Sequence, residues 1–401
     1  MKMKNFGISL LLGLGLAGEA LAVESPTLDT GRIAIGGYGD VGYTDSDVTT
    51  GAFKARFIPI LLFQLNEKIH IETELEFSVG ESGETETELE YADLHYFVTD
   101  RATVTAGKFL LPFGQFGPNL HPSWINRLPS APGTYGGHGG NGLMSGVLPI
   151  LTDHGVAFQY NIPRPGSSSK LFFDLYAVNG VGQEEEEHSE DEGETAEELA
   201  EPDDHGSAFP EIEFESTSGD NNKNKAIGGR IAFAYLPQLE VGLSTYRSKY
   251  DKDDKLDFNA SALDLNWIGQ FWSLRGEYVR SDADAYVEEE EADHDEEEVV
   301  EAAPEDDHDE DEILLSRNFN RSGWYLQTAW QLRQLGIPAL NSVELVLRHS
   351  RTVKVDEGKR WTFGVNYWLT PSAAVKVAYE DTQMDDGRDD TRVFAQLSFG
   401  F

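Results

Sequence analysis

The sequence predicts an all-β fold, a 16-stranded antiparallel transmembrane β-barrel with long extracellular loops. Three observations predict it. Apolar and polar residues alternate with period two along most of the chain. The connections between these runs are by turns short and long. Beyond the amino terminus, no apolar run reaches the ~18 residues that a membrane helix needs.

The elements follow in order. Lys2 and Lys4, an apolar stretch over 6–17 and then Ala20-Leu21-Ala22 read as a secretory signal over 1–22. The remainder, 23–401, is expected to form one barrel. Strands are expected near 31–43, 52–65, 68–79, 88–98, 102–110, 153–162, 170–180 and 225–236. Eight more follow near 238–249, 257–267, 270–281, 321–333, 341–350, 359–369, 373–383 and 391–401. In "KIHIETELEFSVG", Ile69, Ile71, Leu75, Phe77 and Val79 share one face, and His70, Glu72, Glu74, Glu76 and Ser78 the other. "KRWTFGVNYWL" repeats the pattern, with Trp361, Phe363, Val365, Tyr367 and Leu369 on its oily face.

Connections after even strands ("LNEK", "TDR", "LPQ", "IGQ", "LTPS") are tight, whereas those after odd strands include the longest segments of the chain. A sandwich need not obey such a rule. A barrel in an outer membrane does, with short periplasmic turns, long external loops, an oily wall toward lipid and a wet wall within. Closure also leaves no backbone group stranded in hydrocarbon. Trp267, Phe271 and Trp272 around "IGQ", and Tyr367 and Trp368 before "LTPS", stand where a membrane boundary would place them. Pro59 removes a ladder donor, so a bulge or a subunit contact is expected in the second strand.

Charge is concentrated. The chain carries 71 acids, 31 bases, a net charge of −40 and no cysteine, which excludes disulfides and thiolate metal sites. Residues 184–215 hold 16 acids and residues 282–312 hold 19, with no Lys or Arg in either. Setting these 35 aside leaves 36 acids against 31 bases, an ordinary body with two acidic insertions. Such segments cannot bury enough apolar surface to order themselves, so acidic external loops over 183–222 and 282–320 are expected to be solvated. His188, His205 and the triplets Asp293-His294-Asp295 and Asp307-His308-Asp309 lie within them. Imidazole beside carboxylate suits zinc, and carboxylate alone suits calcium or magnesium, so loose binding of divalent cations is an expectation, with no cofactor required.

The stretch 106–132 and the following 148–160 hold Gly107-Lys108-Phe109, Pro112-Phe113-Gly114, His121-Pro122-Ser123-Trp124-Ile125-Asn126 and Asp153-His154-Gly155. In these pieces the chain resembles the superfamily named after the phosphate-selective porins O and P. The resemblance implies a homotrimer of sixteen-stranded pores in the bacterial outer membrane. Each pore would be narrowed by a loop folded inward after the fifth strand, here 111–152, with Arg127, His121, His138 and Lys108 at the constriction. The ending "VFAQLSFGF" resembles the terminal strand by which the barrel-assembly machinery recognises its substrates, with Phe401 last.

By strand parity the lumen is lined by Lys54, Arg56, Arg230, Arg275, Arg348, Arg360, Lys376 and Arg392 against Glu72, Glu74, Glu76, Glu277 and other acids. Arg127 is the sole base between 111 and 152. A dedicated anion path needs a run of bases, so this mixture predicts loose selectivity. "GTYGGHGGNG" lacks the Gly-Lys-Ser/Thr ending of a phosphate cradle, and Asp153-His154 has no nucleophile in reach, so no enzyme and no nucleic-acid partner are expected. Two readings stand: a passive porin for small hydrophilic solutes or ions, and a surface protein capturing metal ions or metal complexes on a barrel scaffold.

Overall fold

In a computed structural model of the chain, sixteen strands close into a single antiparallel barrel, each paired to its sequence neighbours and the first to the last. The structure describes residues 32–79, 83–136, 142–183, 209–210, 212–214, 222–235, 237–288, 314–354 and 356–401. The barrel strands are β1 (Ile33–Ser46), β2 (Ala52–Asn66), β3 (Ile69–Val79), β4 (Thr85–Thr99), β5 (Ala102–Leu110), β6 (Thr152–Pro163), β7 (Ser169–Val178) and β8 (Ala226–Tyr235). They continue as β9 (Leu239–Lys249), β10 (Asp257–Ile268), β11 (Trp272–Glu288), β12 (Leu314–Gln331), β13 (Val343–Val353), β14 (Gly358–Thr370), β15 (Ala373–Met384) and β16 (Asp389–Gly400). No helix among the described residues is long and apolar enough to cross a membrane.

Alternation sets the two faces. Leu243, Leu263, Phe363, Val365 and Val377 are exposed on the outside, while their chain neighbours Ser244, Asp264, Thr362, Asn366 and Lys376 are buried within. An apolar outer wall around a polar inner one is the architecture of an outer-membrane barrel. Near the short turns Trp272 and Trp330 stack at 5.2 Å, and Trp267 and Tyr367 are exposed.

The seam joins β1 to β16, from Tyr38 opposite Gly400 to Ser46 opposite Arg392. Beyond it, Gly37 and Phe401 exchange both backbone bonds, at 3.1 and 3.0 Å, and the Phe401 ring stacks on Phe57 at 5.5 Å. Gly37 has φ +146°, and a Cβ there would stand 2.3 Å from the Ile58 carbonyl oxygen, so only glycine lets the terminal residue dock.

Three expectations change. β2 carries no bulge at Pro59: the β2–β3 ladder opens between Phe57–Phe77 and Ile60–Glu74 with its register unchanged. β2 has a register shift further on, between Gln64 and Asn66, and β4 bulges where Glu74 faces Tyr91 and Leu75 faces Leu89, leaving Glu90 as the extra residue. β11 and β12 run about seven residues further than their alternation suggested, so the insertion expected over 282–320 narrows to 289–313. Their acids are answered locally: Arg280 pairs with Asp282 at 2.6 Å, and Asn318 donates to Asp284 at 2.9 Å. The other insertion is not wholly solvated. Gly182–Gln183 pairs with Ile212–Glu213, Phe209 and Ile212 are buried, and Phe214 meets Phe258 edge-on at 5.4 Å. Apolar side chains hidden among the acids anchor its far end inside the barrel mouth.

Candidate constriction site

Between β5 and β6 the chain turns into the barrel instead of away from it. Leu111, Phe113, Phe116, Leu120, Ile125, Leu128, Tyr135, Val147 and Leu148 are all buried, although they belong to a connection rather than to a strand. A π-helical turn over Phe116–Leu120 starts the descent, and Tyr135 bridges to Leu148 to pair the returning arms. Leu128 sits over Gly364, where an added Cβ would come within 2.5 Å of its Cδ2.

A loop inside a barrel has carbonyls and amides without a ladder, and each needs a partner. The inner faces of β11–β16 supply them. The Glu277 carboxylate accepts from the Gln115 amide at 3.1 Å, the Phe116 amide at 2.7 Å, the Tyr135 hydroxyl at 2.6 Å and the Tyr325 hydroxyl at 2.7 Å. Burial, then the adjoining Glu277 charge, raise the Tyr135 phenol far above its ordinary value, so it stays a donor. Arg348 donates to the Ser130 carbonyl at 3.0 Å, the Ser130 hydroxyl at 2.6 Å and the Ala131 carbonyl at 2.8 Å. Lys376 donates to the Asn126 carbonyl at 2.5 Å and also to that of Ser123. Arg127 pairs with Glu344, and Asn366 donates to the Arg127 carbonyl at 2.9 Å and to Glu344 at 3.1 Å.

Below the loop lies a charge hub. Glu380 accepts from Ser130 and Thr362 at 2.8 Å each and faces Arg348 at 3.7 Å, Arg360 at 3.5 Å and Arg392 in direct contact. On the neighbouring wall Arg230 holds Asp264 at 2.6 Å and Glu240 at 2.9 Å.

The residues that parity assigned to the lumen therefore divide. Lys54, Arg56, Glu72, Glu74, Glu76, Arg230, Arg275, Glu277, Arg348, Arg360, Lys376 and Arg392 all face inward by ladder position. Arg348, Arg360 and Lys376 are 0% exposed, and Arg230, Arg275, Glu277 and Arg392 are also buried. These side chains fasten the loop or one another. On the opposite wall Lys54 is exposed, while Arg56, Glu72 and Glu76 are half-buried; Glu74 is buried and accepts from the Tyr38 hydroxyl at 2.8 Å.

Of the expected constriction residues, His121 stands in the gap between loop and wall, its Nε2 3.4 Å from the Tyr38 hydroxyl, and Arg127 is pinned to Glu344. Lys108 is a correction. Gly107 and Phe109 point inward, so Lys108 points out, opposite Ala92 and His154, with its Nζ donating to the Leu89 carbonyl at 2.8 Å. It belongs to the outer wall. His138 falls outside the described residues, as do the signal segment 1–22 and the metal candidates His188, His205, Asp293, His294, Asp295, Asp307, His308 and Asp309. Among the described residues no three His, Asp or Glu side chains stand close enough to hold a metal ion.

The gap itself is bounded on the wall by Tyr38, Arg56, Glu76 and Glu90, and on the loop by His121, Ser123, Asn126 and Pro129. Sequence reading missed Tyr38, Asp40 and the run Glu86, Glu88 and Glu90. The alternation in "ETETELEYAD" carried the signal, but β4 was expected to start only at 88.

No family model matches the chain, and no curated protein does. Solved structures do match in fold. The anion-selective porin of Comamonas acidovorans has 12% identity and a TM-score of 0.54, covering 92% of this chain and 99% of that one. OmpF of Salmonella typhi, solved with daunomycin, has 13% identity and a TM-score of 0.54, covering 94% and 100%. The outer membrane channel DcaP of Acinetobacter baumannii has 10% identity and a TM-score of 0.50, covering 93% and 98%. The chain has the bacterial porin fold.

Proposed function

We propose that the protein is an outer-membrane porin through which small hydrophilic solutes and ions diffuse passively. The observation that carries this reading is the inward loop, fastened mainly along β11–β15 and leaving a polar gap against β1–β4. A barrel filled merely for stability has no need of fastening so concentrated on one side. The porin fold of its structural neighbours supports the reading, and the trimer implied by the resemblance belongs to it, as does delivery to the assembly machinery through Phe401. The phosphate path that the same resemblance suggests gains no support, because the inner-wall bases that would line it are buried under the loop. Purified protein added to planar bilayers is expected to give stepwise conductance. A silent membrane at every potential would contradict the proposal.

Both acidic insertions follow odd strands, β7 and β11, on the rim of the long connections. That shared position favours their gathering divalent cations above the mouth. Zinc titration calorimetry is expected to show several weak sites that vanish when 184–208 and 289–313 are deleted together. Unchanged heats after deletion would remove this part of the reading.

A further inference from the structure

We infer that the gap passes cations in preference to anions, and that the inner wall of β3 and β4, rather than the external acidic insertions, sets that preference. The inference rests on the pore reading above. Facing inward on these two strands are Glu72, Glu74 and Glu76, then Glu86 and Glu88 paired opposite Ser78 and Glu76, then the bulged Glu90. Glu76 and Glu90 line the gap itself; Glu86 and Glu88 are exposed on the same inner wall, and Glu72 is half-buried there.

The bases of the same quadrant do not cancel them. Arg56 is held 2.9 Å from Asp40 and 3.6 Å from Glu76, so its charge is already answered. Lys54 is the other one, exposed at the end of β2. Across the lumen, Arg348, Arg360, Arg392 and Lys376 are spent on loop carbonyls and on Glu380, while Arg127 is spent on Glu344. Arg317 and Arg321 also face inward, but they stand at the far end of β12, stacked over the Phe319 and Phe209 rings.

The loop thus acts as a one-sided insulator. It covers a wall whose bases and acids are buried, and it leaves uncovered the wall where acids prevail. A narrow aqueous gap between low-dielectric walls focuses the field of such a surface, raising the local concentration of counter-ions and depleting ions of like sign. The bulge sharpens this effect. By inserting one residue, it brings both Glu90 and Tyr91 to the inner side and crowds a further carboxylate against Glu74 and Glu76.

The test is the reversal potential of the full-length protein in planar bilayers under a potassium chloride gradient. The expected sign is that of potassium permeation, with a potassium-to-chloride ratio on the order of tenfold. A triple variant, Glu76→Gln, Glu86→Gln and Glu88→Gln, whose folding is checked by circular dichroism, is expected to bring the ratio close to one. Lys54→Gln is expected to raise it. Deleting 184–208 and 289–313 is expected to leave the sign unchanged. A chloride sign, a ratio unmoved by the triple variant, or a preference lost with the external deletions alone would overturn the inference while leaving the pore standing. Absence of any conductance step would instead overturn the pore, and this inference with it.

Discussion

Glu277→Ala is expected to widen the channel. Four buried donors converge on that carboxylate, two from the loop backbone, one from the loop's Tyr135 and one from Tyr325 in β12. Removing it leaves all four unanswered among buried side chains, and a buried polar network broken at its centre loses about 3–5 kcal/mol. The strands do not depend on Glu277, because its own ladder bonds are backbone bonds to β10 and β12. The cost therefore falls on the loop, whose first turn separates from the wall. Single-channel recordings are expected to show conductance raised severalfold, with noise from a loop exchanging between positions, while circular dichroism keeps its β-signature. Conductance equal to that of the unmodified protein would mean that this contact does not hold the loop.

Glu380→Gln is expected to act on the barrel itself. Three guanidinium groups, those of Arg348, Arg360 and Arg392, surround this carboxylate with little or no exposed surface. Each was taken out of water on the strength of the carboxylate's charge. An amide of the same shape keeps the packing and removes the charge, leaving like charges facing one another, a change that typically costs about 3–5 kcal/mol. The expected result is a clearly lower midpoint of thermal unfolding in detergent, followed by loss of β-structure. Adding Arg360→Gln to the same chain is expected to recover part of the loss, since one unanswered charge is removed. An unchanged midpoint for Glu380→Gln would show that the hub is not a structural centre.

Much of this was legible in sequence. The period of two fixes which side chains share a face, and the sixteen strands counted from it close in sequence order. What sequence could not show was the path of the loop. Leu128 over Gly364 and Lys376 beneath Asn126 are contacts between positions more than two hundred residues apart, which leave no local pattern. Without them, Arg348, Arg360 and Lys376 read as a basic lining to the pore, whereas they are buried anchors. Lys108 was misplaced for a smaller reason. Proximity to the loop suggested constriction, but the alternation of Gly107, Lys108 and Phe109 already turned it outward. The bulge at Glu90 shifts the inward set from Glu86 and Glu88 to Tyr91 and Asp93, and starting β4 at 88 left out most of the even-numbered half against which that shift would show.

The chain's lack of cysteine allows a direct test of where water runs. Glu88→Cys lies on the exposed wall of β4, and Thr362→Cys lies under the loop, where Thr362 has no exposed surface. With each in an otherwise unmodified channel, a charged, membrane-impermeant thiol reagent is applied while current is recorded. Rapid labelling and a stepwise fall in current are expected at position 88, and neither labelling nor current change at position 362. Equal labelling at both positions, or labelling confined to position 362, would contradict this expectation, because the path would then follow the wall that the loop is said to cover.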